Sequence, residues 1–161
     1  KITFGLKGKP WKDCPHMPEL VNGSFRTDLP YLQNTWISSF AQNSPDGLIT
    51  VLVAGKEAED KIGPIVAGCK RSLSQLFNKP EEDLFTGVQV FHVWKDHQFS
   101  KGSYSYYKPG QFMSLRPVAG QPELRGRMGF VGEHSDPELY GFMNGAVHSA
   151  LNEALRIEVD R

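Results

Sequence analysis

The chain has 161 residues, enough for one domain of ordinary size, and 39% of them are hydrophobic, which is typical of a globular protein. Its 18 basic and 18 acidic residues cancel, so neither a nucleic acid nor an anionic membrane is an expected partner. The two cysteines, Cys14 and Cys69, form no closely spaced pair, which argues against a disulfide scaffold or a structural zinc site and leaves the compartment open.

The first predicted elements are strands separated by irregular chain. Apolar residues alternate with polar or small ones over residues 1–8, which predicts a half-buried strand. Prolines interrupt residues 9–44, so we expect irregular connections there, with one short strand near Trp36. The nearly unbroken apolar run Leu48–Ala54 predicts a central strand that is covered on both faces.

Helical and strand patterns alternate in the rest of the chain. Apolar residues recur at helical spacing from Ile62 to Phe77, which predicts a surface helix closed by Asn78. The alternation over Val88–Trp94 predicts another strand. An amphipathic helix is expected over Met143–Leu155, with an alanine-rich stripe that packs closely on a neighbour. The sequence therefore predicts mixed strands and helices.

Residues 130–146 form the most informative segment. An apolar strand end at Phe130 is followed by a Gly132-Glu133 turn, and small residues from Gly141 begin the last helix. The amides at a helix start lack intrahelical partners, and the helix dipole is positive there, so an anionic or electron-rich group is favoured. The segment predicts a cofactor at the helix start, although Gly-Glu turns also precede ordinary helices.

Several short motifs follow one another along the chain. In the second half they are Trp94-Lys-Asp96, Gly102–Tyr106, Pro109-Gly110, Arg127, Phe130–His134 and Gly145-Ala146. Taken in order, they resemble the C-terminal half of the flavin-dependent amine oxidases, a superfamily that includes monoamine, polyamine and L-amino-acid oxidases. The resemblance covers essentially the whole chain, because Lys1–Phe4, Pro10-Trp11 and Val51–Gly55 are also similar to family segments.

The resemblance implies an α/β (α+β mixed) fold with two parts. Residues 1–120 are expected to form a substrate-domain mixed sheet with flanking helices, and residues 121–161 the last strand and helix of an FAD-binding, Rossmann-like domain. The family's Gly-x-Gly-x-x-Gly segment, which holds the ADP end of FAD, is absent, since Gly5–Gly8 has the wrong spacing. We therefore expect a processed or incompletely observed chain that needs a companion chain carrying the dinucleotide-binding half, within an oligomer.

The resemblance also implies where FAD would bind. The backbone amide of Met143 is expected to lie against the flavin carbonyl, and Glu133 is expected to contact the ribityl or phosphate region. These residues belong to a predicted cofactor-binding set of Gly132, Glu133, Gly141, Phe142, Met143 and Ala146. No metal is predicted, because His92 and His97 fall on opposite faces of one strand and no third ligand is near in sequence. Hydrolysis is also excluded, because the consecutive Glu133-His134-Ser135 cannot form a side-chain relay.

Three residues are predicted to take part in catalysis. Tyr104 matches one wall of the family's aromatic cage, and Phe142 falls at the opposite wall, where other residues are often found. Lys1 matches a lysine that holds a water against flavin N5. Without the family pattern, Tyr104 could equally lie in an ordinary strand, and Lys1 could be a solvated chain end.

The resemblance implies oxidation of an amine to an imine with release of hydrogen peroxide. Leu52 falls where amino-acid oxidases place a carboxylate-binding tyrosine, and leucine cannot donate a hydrogen bond, so we expect an amine without an α-carboxylate. Two alternatives stay open. One is an L-amino-acid oxidase, since Thr27–Pro30 resembles a segment of those enzymes, and the other is a non-catalytic subunit that retains the fold.

Overall fold

The computed structural model describes residues 1–14, 17 and 23–159, and the chain divides into two compact units, Lys1–Trp94 and Lys95–Arg161. Most of the predicted irregular connection after Lys9 is described, whereas Pro15 and Pro18 lie outside the described residues. The predicted domain boundary at residue 120 concerns the assignment to a larger flavoprotein and stays a prediction.

A five-stranded sheet forms the first unit. Its spatial order is β2-β3-β4-β1-β5, so β4, predicted as a central strand, lies in the middle. The strands are β1 (Ile2–Leu6), β2 (Ser24–Phe25), β3 (Asn34–Ile37), β4 (Gly47–Leu52) and β5 (Phe85–Phe91). Every pairing within the described residues is antiparallel, whereas a mixed sheet was predicted. The difference arises because β1 runs opposite to both of its neighbours.

The core of the first unit lies between this sheet and one helix. The predicted strand at the chain start is confirmed, and its apolar residues Ile2, Phe4 and Leu6 are fully buried. The predicted helix is α1 (Ile62–Phe77), which buries Cys69 and Leu73 and ends at Asn78, whose φ is 50°. Each fully buried large apolar side chain stabilises the fold by roughly 1.5–3 kcal/mol. Burial also raises the pKa of the Cys69 thiol to about 12, which makes it unreactive.

The strand predicted over Val88–Trp94 is shifted in the structure, where β5 spans Phe85–Phe91. The pairing of β5 with β1 ends where β1 begins, and its last hydrogen bond runs from the His92 amide to the Lys1 carbonyl oxygen at 2.9 Å. Beyond it, Trp94–Asp96 form a 3₁₀ turn. The alternation in the sequence indicated a strand, but the limits of β5 depend on the length of its partner strand β1. As an edge strand, β5 leaves Val88 and Val90 more than half exposed.

The short elements of the chain are helical turns. Glu81–Leu84 form α2 in the first unit, and Phe112–Leu115 form α3 in the second. The 3₁₀ turns are Pro10–Lys12, Gly55–Glu59, Trp94–Asp96 and Glu133–Ser135. The strand end predicted at Phe130 is wrong, because β-pairing within the described part of the second unit consists of one isolated bridge, Glu123 with Met128. A strand needs a hydrogen-bonded neighbour, and that segment has none there.

The predicted C-terminal helix is confirmed as α4 (Met143–Val159), but its close packing is not. The apolar stripe predicted to pack is largely exposed, and the helix instead buries Gly145 and Ser149. The stripe residues and their exposed fractions are Met143 86%, Val147 61%, Leu151 59% and Leu155 60%. The periodicity was correct, but within the described residues nothing covers the stripe.

Candidate functional site

The Gly-Glu turn of the second unit depends on an unusual backbone geometry at Gly132. Its φ of 148° lies in a region that residues other than glycine rarely adopt. A Cβ there would also lie 2.6 Å from Cε1 of His134, too close for a normal contact. The 3₁₀ turn Glu133–Ser135 follows directly, so this position favours glycine for both its backbone angles and its lack of a side chain.

The Glu133 carboxylate joins two separate loops of the second unit. It accepts hydrogen bonds from the amide and the hydroxyl of Ser105, at 2.8 and 2.7 Å, and from the amide of Gly141 at 2.6 Å. Desolvation raises the pKa of Glu133, but these hydrogen bonds outweigh it, so its pKa lies below the usual value. An ionised Glu133 therefore holds the residue after Tyr104 against the residue before Phe142.

The two predicted cage residues, Tyr104 and Phe142, are connected through this carboxylate. Gly141 has a φ of 81°, and a Cβ added there would lie 3.7 Å from Cδ2 of Tyr104. The Tyr104 ring therefore packs over the glycine that precedes Phe142. Both aromatic side chains are more than half exposed, at 54% and 68%. Exposed aromatic faces beside a helix start are available to a ligand.

The start of α4 leaves amides available for a ligand. The amide of Phe142 donates to the Leu139 carbonyl oxygen at 3.2 Å, and those of Gly145 and Ala146 donate to the Phe142 carbonyl oxygen. Among the described residues, the amides of Met143 and Asn144 have no such acceptor. Unpaired donors at the positive end of a helix suit a flavin ring, whose carbonyl becomes more negative on reduction. That the predicted cofactor set binds a flavin stays a prediction.

The structure adds site residues that sequence reasoning missed. Asp136 is 1% exposed and lies in the turn before α4, where it contacts His148 of the helix. Ser149, the next residue of α4, accepts a hydrogen bond from the amide of Gly132 at 3.0 Å. Asp136 could have been found as the start of an Asx turn before a helix, but its pairing with His148 had no signal in the sequence.

Lys1 lies in the first unit, apart in sequence from the other predicted site residues. Its Nζ lies 5.4 Å from the ring centroid of Trp36, a distance that permits a cation–π contact. Its backbone nitrogen donates to the His92 carbonyl oxygen at 3.1 Å, which continues the pairing of β1 with β5. The residue is thus held in the sheet, and its role beside a flavin stays a prediction.

Leu52, which was used to predict the substrate class, borders an open concavity of the first unit with a volume of about 440 Å³. The other residues that line it are Gln33, Asn34, Ala54, Lys56 and Glu57. The side chain of Leu52 has no hydrogen-bond donor. At this position the concavity therefore cannot donate a hydrogen bond to a carboxylate.

The residues that could suggest a metal site or a catalytic triad make other contacts in the structure. The His92 ring stacks edge-on against Trp94 at 4.3 Å, and His97 lies 3.1 Å from the Ser100 hydroxyl. No group of three or more potential metal-ligating side chains occurs within the described residues. The hydroxyl of Ser135 donates to the carbonyl oxygen of Gly132. This bond fixes the turn.

Comparison with known proteins gives the family. A family model described as "Flavin containing amine oxidoreductase" matches residues 1–157, nearly the whole chain. The chain belongs to the flavin-containing amine oxidoreductase family. The match confirms the resemblance and the predicted cofactor, FAD.

One curated relative matches part of the chain in sequence, and solved structures match nearly all of it in fold. A curated protein of Bacillus subtilis (strain 168), named putative L-amino-acid oxidase YobN, is 33% identical over 64 residues, which are 40% of this chain and 13% of the relative. A solved putrescine oxidase superposes on all of this chain with a TM-score of 0.75 at 17% identity. Cyclohexylamine oxidase from Brevibacterium oxydans IH-35A superposes on 99% with a TM-score of 0.73 at 15% identity.

The similarity to these solved structures confirms the predicted fold of mixed strands and helices. The chain spans 34% of the putrescine oxidase chain and 35% of the cyclohexylamine oxidase chain. It therefore corresponds to about a third of those enzymes. Within the residues that the structure describes, no helix is long and apolar enough to cross a membrane.

The lowered pKa values of two acidic residues of the site predict how the stability of the protein depends on pH. Desolvation raises the pKa of Asp136 and of Glu133, but hydrogen bonds outweigh it, and both pKa values are lowered by folding. Their stabilising contribution is complete above the unfolded carboxyl pKa of about 4 and is lost as the pH falls through the folded values. We expect the unfolding midpoint to be flat from neutral pH to about 5 and to fall below about 4.

Thermal unfolding followed by circular dichroism across this pH range checks the prediction. Glu133→Gln should flatten the acid limb, because it removes one of the two titrating groups. A stability that rises as the pH falls through this range would contradict the assignment of these carboxylates as ionised in the fold.

Proposed function

We propose that this chain is part of an FAD-dependent amine oxidase, to which it contributes the substrate side and the contacts to the reducible end of the flavin. The observation that carries the proposal is the Glu133 carboxylate, which joins Ser105 to Gly141 and so places Tyr104 and Phe142 beside the start of α4. The overall reaction is oxidation of an amine to an imine, which hydrolyses to an aldehyde or ketone, with oxygen reduced to hydrogen peroxide.

The chemistry divides between the cofactor and this chain. When bound, the flavin accepts a hydride equivalent from the amine and returns the electrons to oxygen. The amides of Met143 and Asn144 would hold the carbonyl region of the flavin, where they would stabilise negative charge. Gly132 and Gly141 permit the tight turns on either side of this site, and Ala146 adds a small side chain to the first turn of α4.

The exposed aromatic faces of Tyr104 and Phe142 orient the substrate. Two aromatic rings exclude water from the amine nitrogen, and they favour a nitrogen that lies over their faces. Lys1 holds a water near the flavin and assists the reaction with oxygen. This role is supported by the position of Lys1 directly before β1, which pairs with β4 on one side and with β5 on the other.

The partner is the dinucleotide-binding half of the same flavoprotein, whether a companion chain or another part of a longer one. The exposed stripe of α4, from Met143 to Leu155, is apolar surface that a soluble assembly covers. Residues 121–161 then complete the flavin-binding domain, while residues 1–120 belong to the substrate domain. We also propose that the complete enzyme is an oligomer.

The substrate is an amine without an α-carboxylate. Leu52 supports this, because it borders the concavity of the first unit and cannot donate a hydrogen bond to a carboxylate. The second candidate is an L-amino-acid oxidase that forms a 2-oxo acid. It is favoured by the 33% identity to a putative L-amino-acid oxidase over 64 residues.

A peroxide assay with a substrate panel tests this proposal. The flavoprotein that contains this chain, purified through an affinity tag on the chain, is supplied with tyramine, spermidine and common L-amino acids. We expect peroxide with the amines and little with the amino acids. Turnover of α-amino acids alone would select the second candidate, and a flavin-loaded assembly inactive on both would indicate a non-catalytic subunit.

A further inference from the structure

A buried carboxylate connects the turn before α4 to the helix itself. Oδ1 of Asp136 accepts hydrogen bonds from the amides of Glu138 at 2.9 Å and Leu139 at 2.6 Å. Its Oδ2 lies 2.6 Å from Nδ1 of His148, in the second turn of α4. With 1% of Asp136 exposed, water cannot replace these partners readily.

The neighbouring residue of α4 holds the other end of the same segment. Ser149 accepts a hydrogen bond from the amide of Gly132 at 3.0 Å and is buried. Two adjacent side chains of one helix therefore fix residues 132 and 136, and Glu133 lies between these fixed points. The amide of Gly141, which donates to Glu133, follows the turn that Asp136 closes.

His148 has one neighbour on each ring nitrogen. Because the Asp136 carboxylate only accepts, Nδ1 of His148 is the donor in this contact. Its Nε2 lies 3.4 Å from the side-chain nitrogen of Asn152.

We propose that His148 is a positioning residue for the flavin site. Through Asp136 it fixes the turn at residues 137–141, and so it keeps the Gly141 amide on Glu133 and sets the orientation of Phe142 and the amide of Met143. The inference rests on the proposed function, since it assigns a remote residue to the same cofactor site. His148 itself touches neither flavin nor substrate.

Two substitutions at one position and one control test the proposal in the flavoprotein that contains this chain. His148→Leu removes the donor to Asp136, whereas His148→Asn can place an amide N–H near the position of Nδ1. Glu158→Gln changes an exposed residue near the end of the same helix, and it serves as the control. The readouts are the dissociation constant for FAD, the turnover number and KM, and amide hydrogen exchange at Leu139 and Gly141.

His148→Leu should weaken FAD binding about tenfold, which corresponds to about 1.4 kcal/mol. It should also lower the turnover number more than it changes KM, and it should speed exchange at Leu139 and Gly141. His148→Asn should restore most of the affinity, and Glu158→Gln should stay near the wild type. A fall in unfolding temperature with unchanged FAD affinity and unchanged exchange at Gly141 would overturn the proposal, because it indicates a purely structural residue.

The failure of this inference can be told apart from failure of the proposed function. A wild-type assembly that binds no flavin overturns the function, and amide exchange then decides about His148 alone. Faster exchange at Gly141 in His148→Leu, reversed in His148→Asn, supports the positioning role. Exchange at Gly141 that is the same in all variants overturns it.

Discussion

Gly145→Ala is expected to abolish high-affinity flavin binding by the protein. Gly145 is buried in the first turn of α4, and a Cβ there would overlap the carbonyl carbon and oxygen of Leu139. The clash is with backbone, which cannot rotate away, so the helix start must move from the turn that Asp136 closes. We expect a loss of about 3 kcal/mol of stability, the upper end of overpacking costs, and release of the flavin.

Gly63→Ala is the matched control. It is also a helical glycine, in α1, but a Cβ there would meet nothing within 4 Å. Alanine is favoured over glycine in a helix, but the ring of Pro64 disfavours a helical backbone at a preceding residue that carries a Cβ, so this variant should stay near the wild type. Thermal unfolding and flavin fluorescence of both variants provide the comparison. Retention of wild-type flavin affinity in Gly145→Ala would contradict the close contact between Leu139 and α4.

Glu133→Gln is expected to weaken flavin binding about 30-fold, or about 2 kcal/mol. The carboxylate accepts three hydrogen bonds from Ser105 and Gly141, whereas an amide offers one acceptor oxygen and presents a donor in place of the other. At least one of the partner amides then loses its acceptor. The loops that carry Tyr104 and Phe142 should separate, and the turnover number should fall with the affinity.

Glu138→Gln provides the comparison for Glu133→Gln. Glu138 lies in the same segment, but its side chain is exposed, and its role in the turn is through its backbone amide, which donates to Asp136. This variant should bind flavin as the wild type does. Titration of the apoprotein with FAD measures both. Equal affinities for the two variants would show that the charge of Glu133 does not organise the site.

The elements that the sequence predicted well are those whose signal is local. Ile2, Phe4 and Leu6 alternate over a strand that is buried on one face, and α1 carries an apolar stripe with Asn78 at its end. Such patterns depend on the geometry of one element alone. The limits of β5 and the missing strand at Phe130 depend on a partner strand, which no local pattern encodes.

The same distinction holds for the site. The turn at Gly132 and Glu133 was recognised from its motif, because glycine conformation and the helix start are local features. The contact between Asp136 and His148 joins two elements, and although Asp136 has the local signal of an Asx turn, nothing in the sequence pairs it with His148. For α4, periodicity predicted an apolar stripe but not its exposure, since exposure depends on which surface covers the helix.

The visible absorption spectrum of the assembly that contains this chain tests the central claim most directly. The claim is that Glu133, Gly141 and the start of α4 hold the reducible end of a flavin that oxidises amines. The account predicts the absorption bands of bound flavin in the purified protein, and their bleaching when an amine is added without oxygen. A colourless assembly, or flavin bands that no amine or amino acid bleaches, would contradict it.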